Sequence, residues 1–236
     1  MASRSLKLRS FAPRIVPSKA PHSATAIFHH GFGDFASSWE SALSNLGPRL
    51  EHVKWVIPQA PLRSLKLQGG APGTAWFDIL RSNHAERTQD GTEDEAGMAE
   101  SLADLSALIR AEREAGIPSE RIVLGGFSQG AALAMLAGLT GEDRVGGVAS
   151  LSGYLPLQWK VLVMKQSWAN DVPFFVGHGT VDPVISFSTG KGAADKLRES
   201  GVKQVEFHSY EGMQHSSCDQ EMRDLAAWLE KTVPPL

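Results

Sequence analysis

Cysteine is almost absent from this sequence. Cys218 is the single one in 236 residues, so no intramolecular disulfide can form, and a reducing compartment, the cytoplasm, is expected. Long apolar runs are missing too: no stretch approaches the roughly 20 residues that a membrane-crossing helix needs. Charge of neither sign is in surplus. Lys and Arg total 23 against 26 Asp and Glu, a formal charge of −3, which supplies no electrostatic reason to expect a nucleic-acid partner. The first 21 residues contain no acid. Their basic character is faintly like an organelle transit sequence, but the apolar core of a secretory signal is lacking, and residues 1–13 are read as a flexible solvated extension. What remains, 14–236, is long enough and apolar enough to bury one large core, and a single domain is the simplest organisation.

Strand and helix patterns alternate along that domain. Short runs rich in branched or aromatic residues occur at 24–30, 53–58, 121–126, 145–153, 172–179 and 205–210, as buried strands require. Between most of them lie helical patterns. Thr92 and Glu95 have the spacing of a capping box ahead of Met98, Leu102, Leu105 and Ile109, which share a helix face; Met222, Leu225, Ala226 and Leu229 repeat the pattern near the end. Strands alternating with helices predict a mainly parallel, doubly wound α/β sheet with helices on both faces, whose site lies at the carboxyl ends of the strands. The longest irregular stretch, 61–74, is read as a loop covering that site.

The segment RIVLGGFSQGAALAMLAGL (121–139) sets three glycines around one serine. A strand that turns at once into a helix strains the turn residue, and Cβ atoms two positions either side would collide. Gly126-x-Ser128-x-Gly130 thus reads as the nucleophile elbow of an α/β-hydrolase fold. In that fold the acid follows the serine and the histidine follows the acid. Asp171 precedes the 172–179 strand and falls at the wrong edge, whereas Asp182 follows it. Of the two later histidines, His208 lies inside a strand pattern and His215 between strand and helix. The expected triad is Ser128, Asp182 and His215. The oxyanion donors are expected to be the backbone N–H of Gln129, directly after the nucleophile, and that of Phe32 in HHGFGD (29–34). Because a backbone group does this work, the side chain at 129 is expected to be replaceable. His29 and His30 are not read as metal ligands, since neighbours on a strand face opposite ways; no metal is expected.

With these residues in place, HGFGD, PQAP, WFDI, GIPSERIVLGGFSQGAAL, LSGYLP, GHGTVDPV and YEGMQHSSCDQEM together resemble the acyl-protein thioesterase and lysophospholipase branch of the carboxylesterases, in the same order from about Arg14 onward. The resemblance implies hydrolysis of acyl thioesters on S-acylated proteins and of oxygen esters such as lysophospholipids, without a cofactor, and the same triad. It also implies that the 61–74 region helps to form an acyl channel. Leu65 and Leu67, with the stem of Lys66, are read as an apolar entrance, and Trp76 and Phe77 as channel lining, with plain core as the competing reading for the two aromatics. The region departs from the family's more hydrophobic pattern, which puts chain-length preference in question. No lipid anchor is readable: the N-terminal stretch has no cysteine, and its second residue is Ala2 rather than the glycine that myristoylation needs. Transient contact with a membrane surface nevertheless fits the implied substrates. Between Tyr154 and Val172 there is no room for a large cap domain, so an open cleft is expected. A carboxylesterase of small esters, a serine peptidase and a binding module without chemistry are the competing readings, and oligomeric state is not legible.

Overall fold

The computed structural model describes residues 12–81 and 93–236. In chain order the elements are β1 (Arg14–Val16), β2 (Ala24–His29), α1 (Ser37–Ser44), β3 (Val53–Ile57), β4 (Leu62–Ser64), β5 (Pro72–Thr74), α2 (Glu95–Glu114), β6 (Ile122–Phe127), α3 (Gln129–Thr140), β7 (Gly147–Leu151), α4 (Val161–Met164), β8 (Phe174–Gly179), α5 (Phe187–Glu199), β9 (Val205–Tyr210) and α6 (Asp219–Thr232). Seven strands form one sheet in the order β1-β3-β2-β6-β7-β8-β9. All neighbours are parallel except β1, which lies antiparallel on β3, with Arg14 opposite Ile57. The six expected strands are all present. β1 is an addition, too short for periodicity to reveal.

Helices cover both faces of the sheet. Trp39 and Leu43 of α1 and Leu225, Trp228 and Leu229 of α6 pack under one face; Met98, Leu105 and Ile109 of α2, Leu133 and Leu136 of α3 and Leu197 of α5 pack over the other. Of the faces read for α2 and α6, Met98, Leu105, Ile109, Leu225, Ala226 and Leu229 are buried, and Leu102 and Met222 are half-buried at their edges. α3 differs: every residue from Gln129 to Leu139 is buried, so it is apolar all round, as a helix at the centre of a core must be. Its glycines let it lie close to the sheet. A Cβ on Gly138 would stand 2.2 Å from Val148 Cγ2. The capping box is corrected: Thr92 lies outside the described residues, and α2 is capped by Asp94, whose carboxylate accepts the Gly97 N–H at 3.0 Å.

Two features of this topology place the site. Strand order reverses about β2, because the chain runs from β2 outward to β3 and then returns to β6 on the other side. The loops leaving β2 and β6 therefore diverge at a switch point, where a crevice opens at the carboxyl edge of such sheets. The second feature corrects the 61–74 loop. Leu62–Ser64 and Pro72–Thr74 pair as a separate antiparallel hairpin, closed by a turn in which Gly69 and Gly70 have positive φ, 63° and 89°. None of the described helices is long and apolar enough to cross a membrane.

Candidate active site

β6 ends at Phe127 and α3 begins at Gln129, leaving Ser128 alone to change direction. It does so at φ 53° and ψ −115°, a conformation L-residues avoid and that persists only when its surroundings hold it. Two hydrogen bonds hold it: Ser128 N–H donates to Leu151 O at 2.9 Å, and Ser128 O accepts from Ala132 N–H at 3.1 Å. Gly126 and Gly130 permit the turn. A Cβ on Gly126 would lie 2.4 Å from the Gly130 carbonyl carbon, and one on Gly130 would lie 2.2 Å from His29 O. Both clashes are with backbone and cannot be relieved by a rotamer change.

Two further loops reach the same point. His215, between β9 and α6, has Nε2 2.9 Å from Ser128 Oγ and Nδ1 2.7 Å from Asp182 Oδ2. Asp182 follows β8, and its other oxygen accepts the N–H groups of Val184 and Ile185 at 2.8 and 2.9 Å. Burial alone would raise the Asp182 carboxyl, but hydrogen bonds from His178, His215 and the Ile185 N–H outweigh it and hold the group well below the usual carboxylate range. An anionic acceptor there fixes the proton of His215 on Nδ1 and leaves the Nε2 lone pair facing the serine hydroxyl. The loops are joined through Gly179, where a Cβ would stand 2.1 Å from Met213 O. The rival groups lie elsewhere: Asp171 is paired with Lys203 at 2.6 Å, and His208 stacks on Phe175 with centroids 4.9 Å apart.

The two N–H groups read as oxyanion donors are each aimed by the carbonyl of their own peptide. Gly31 O accepts from His30 Nδ1–H at 2.8 Å and from Asp34 N–H at 3.3 Å; the planar trans peptide then directs the Phe32 N–H the opposite way. Ser128 O is taken by α3 in the same manner, which turns the Gln129 N–H out of the helix start. Among the described residues no acceptor takes either N–H. His30 suits its duty: Nε2 accepts from Ala60 N–H at 3.1 Å, and burial pushes its pKa down, so it stays neutral with the proton on Nδ1. His29 Nδ1 donates to Gly125 O at 3.1 Å, and burial lowers it to about 4.

Several expectations about the surroundings need correction. Leu65, read as part of an exposed entrance, is fully buried; it fills the hairpin, where a Cβ on Gly73 would lie 2.5 Å from Leu65 Cδ1. Leu67 does stand exposed, at 42%. Trp76 and Phe77 are core residues, and the Trp76 indole N–H donates to His30 O at 2.8 Å. The side chain at 129, read as free of any duty, is buried and held by two hydrogen bonds. Its carboxamide accepts from Trp76 N–H at 3.0 Å and donates to Phe77 O at 2.7 Å. His178, inside β8, is not singled out by sequence reasoning; it is fully buried, with Nε2 2.8 Å from Ile185 O and 3.4 Å from Asp182 Oδ2. The one hint available is its place four residues before the acid.

A family model described as phospholipase/carboxylesterase matches residues 11–233. The chain is 42% identical over 224 residues to a protein named acyl-protein thioesterase 1 in Mycosarcoma maydis, covering 89% of this chain and 92% of that one. It is 38% identical to the protein of the same name in Yarrowia lipolytica, covering 92% and 96%. Among solved structures it is similar to acyl-protein thioesterase 2 of Zea mays, with a TM-score of 0.84 and 29% identity over 94% of this chain and 100% of that one. It is also similar to SOBER1 of Arabidopsis thaliana, at 0.82 and 27% over 89% and 99%.

Proposed function

The chain belongs to the phospholipase/carboxylesterase family, and from that premise we propose that it is a serine hydrolase that removes acyl chains from S-acylated proteins, and cleaves oxygen esters such as those of lysophospholipids, through an acyl-enzyme on Ser128. The observation that carries this reading is the hydrogen-bonded series from Ser128 Oγ through His215 to Asp182, with separations of 2.9 and 2.7 Å, on a strained turn at the switch point of the sheet. In the first half-reaction Ser128 Oγ attacks the acyl carbon while its proton passes to His215 Nε2. The carbonyl oxygen becomes an anion facing the N–H groups of Phe32 and Gln129. As the intermediate collapses, the carbon–sulfur bond breaks and the thiol leaves with the proton from His215. Water then attacks the acyl-serine by the same route and releases a carboxylic acid. Asp182 stabilises the imidazolium in both halves and remains ionised.

No side chain beyond these is needed to balance the protons. The cytoplasm suits a chain whose only thiol, Cys218, is unpaired, and substrates with long acyl chains bring the enzyme into transient contact with membrane surfaces. Turnover of a palmitoyl-thioester peptide, a lysophospholipid and a short-chain ester by the purified protein tests the reading. Hydrolysis of the thioester peptide at rates well above those for the short-chain ester is the expected result; turnover confined to short esters would leave a carboxylesterase without a protein substrate, and no turnover of any ester would overturn the reading.

A further inference from the structure

The two groups that would bind the oxyanion come from chain segments almost a hundred residues apart. Phe32 lies in the loop after β2, whereas Gln129 opens α3 after β6. Between them runs a strap, from Thr74 at the end of β5 through the irregular residues 75–77, that grips both. On one side the carboxamide of Gln129 spans two successive peptide groups, accepting from Trp76 N–H at 3.0 Å and donating to Phe77 O at 2.7 Å. On the other side Thr74 O accepts the Gly33 N–H at 2.8 Å. Thr74 Oγ1 donates to Asp34 O, and Trp76 Nε1 to His30 O, each at 2.8 Å. These last three bonds bracket Phe32 from both sides. A further bond, from Ser101 Oγ to Trp76 O, ties the strap to α2.

We propose that the Gln129 side chain is a positioning residue, which acts through this strap to hold the Phe32 and Gln129 N–H groups at the separation a tetrahedral oxyanion requires. The proposal rests on the oxyanion assignment above. Its physical basis is that preorganised donors stabilise a transition state only when they need not move as charge develops, and a tolerance of about 0.5 Å is typical for such constellations. The residue type is demanding. The strap offers one N–H and one C=O, so the brace must accept and donate at once; a carboxamide does both, an ionised glutamate only accepts, and methionine fills the space with no donor and only a weakly accepting sulfur. Gln129 is 2% exposed, so water cannot replace the lost bonds without entering the core.

Gln129→Met keeps the volume and the backbone N–H while opening the circuit at one end; Thr74→Val loosens it at the other, removing the bond to Asp34 O while those to Gly33 and His30 remain. We expect Gln129→Met to lower kcat on a long-chain ester by about tenfold to a hundredfold, with KM within about twofold of the parent. Affinity for a long-chain aldehyde, which adds to the serine hydroxyl to form a tetrahedral oxyanion, should fall by the same factor. Thr74→Val should act in the same direction and less strongly. The double variant should be no worse than Gln129→Met, since both substitutions break one circuit. Parent-like kcat and aldehyde affinity in Gln129→Met, or losses that multiply in the double variant, would overturn the proposal. Should Gln129→Met fail to fold, Thr74→Val decides alone, and unchanged aldehyde affinity in it is the contrary result. An inactive parent enzyme would instead overturn the Ser128 reading on which the proposal stands.

Discussion

Two regions flank the elbow, and they are fastened by different means. On the acid–base side, the Asp182 and His215 loops are stitched backbone to backbone: Thr180 N–H donates to Tyr210 O at 3.0 Å and Val181 N–H to Met213 O at 3.2 Å. On the oxyanion side, the strap after the hairpin is held largely by side chains, those of Thr74, Trp76 and Gln129. Backbone stitching survives most substitutions as long as the close-approach glycines remain. A side-chain brace is lost with one residue. The acid–base side should therefore respond only where the chemistry itself is touched, and the oxyanion side where polar or apolar packing is touched.

The largest effect tests the acid–base side at its nucleophile. Ser128→Ala should abolish ester and thioester turnover and labelling by a serine-directed phosphonate, with thermal melting close to the parent's, because no bond that holds the turn uses the hydroxyl. Labelling that persists at another residue would break the comparison at its root.

Next in size is Asp182→Asn. The amide oxygen can keep the Val184 and Ile185 N–H groups, so the loop should stay in place. Its NH2 would face His215 Nδ1 and force the wrong tautomer, costing about ten-thousand-fold in kcat. A deficit below about tenfold, measured on folded protein, would show that the carboxylate is not the partner His215 depends on.

The same contrast explains what can be read in advance. Gly126, Ser128 and Gly130 are legible because a backbone turn imposes them within five residues, and Asp182 and His215 because the fold fixes their order at successive strand ends. The brace from Gln129 spans more than fifty residues to Trp76 and Phe77, and a glutamine that serves as a brace has the same letter as one facing water. Reading 61–74 as a loop fails for a related reason. β4 and β5 are three residues each, and Pro72 and Gly73 are poor strand formers, so local preference points away from a hairpin that Leu65 packing stabilises. Thr92 fits a cap by motif, while Asp94 stands one residue before the helix and needs no motif to do the work.

Leu65→Ala then probes the oxyanion side at its apolar end. Removing a fully buried leucine from a small hairpin should cost about 2–5 kcal/mol of stability. The hairpin leads directly into the strap at Thr74, so kcat should fall with KM little changed, as for the brace variants and unlike any neutral change on the acid–base side. Chemical denaturation and steady-state kinetics on the same preparation check this. Stability within about 0.5 kcal/mol of the parent would show that the hairpin is not packed as described.

The smallest effect separates packing from substrate contact within the hairpin. Leu67 follows Leu65 closely in the chain but is 42% exposed, so Leu67→Ala removes much less buried area than Leu65→Ala and should lower thermal melting far less. If the hairpin borders the path of the acyl chain, the exposed leucine has a remaining use, which is to cover methylenes of the substrate. Each methylene so covered contributes about 0.8 kcal/mol, equivalent to about fourfold in kcat/KM. The expected result is a loss of about that size on long acyl chains and none on acetyl esters, whose short chain cannot reach. Truncating 65–70 as a block would not make this distinction, because it would remove the Leu65 packing and the contact together. An equal change at every chain length would assign Leu67→Ala to a shift of the strap, and parent-like kinetics throughout would move the acyl path to another face of the site.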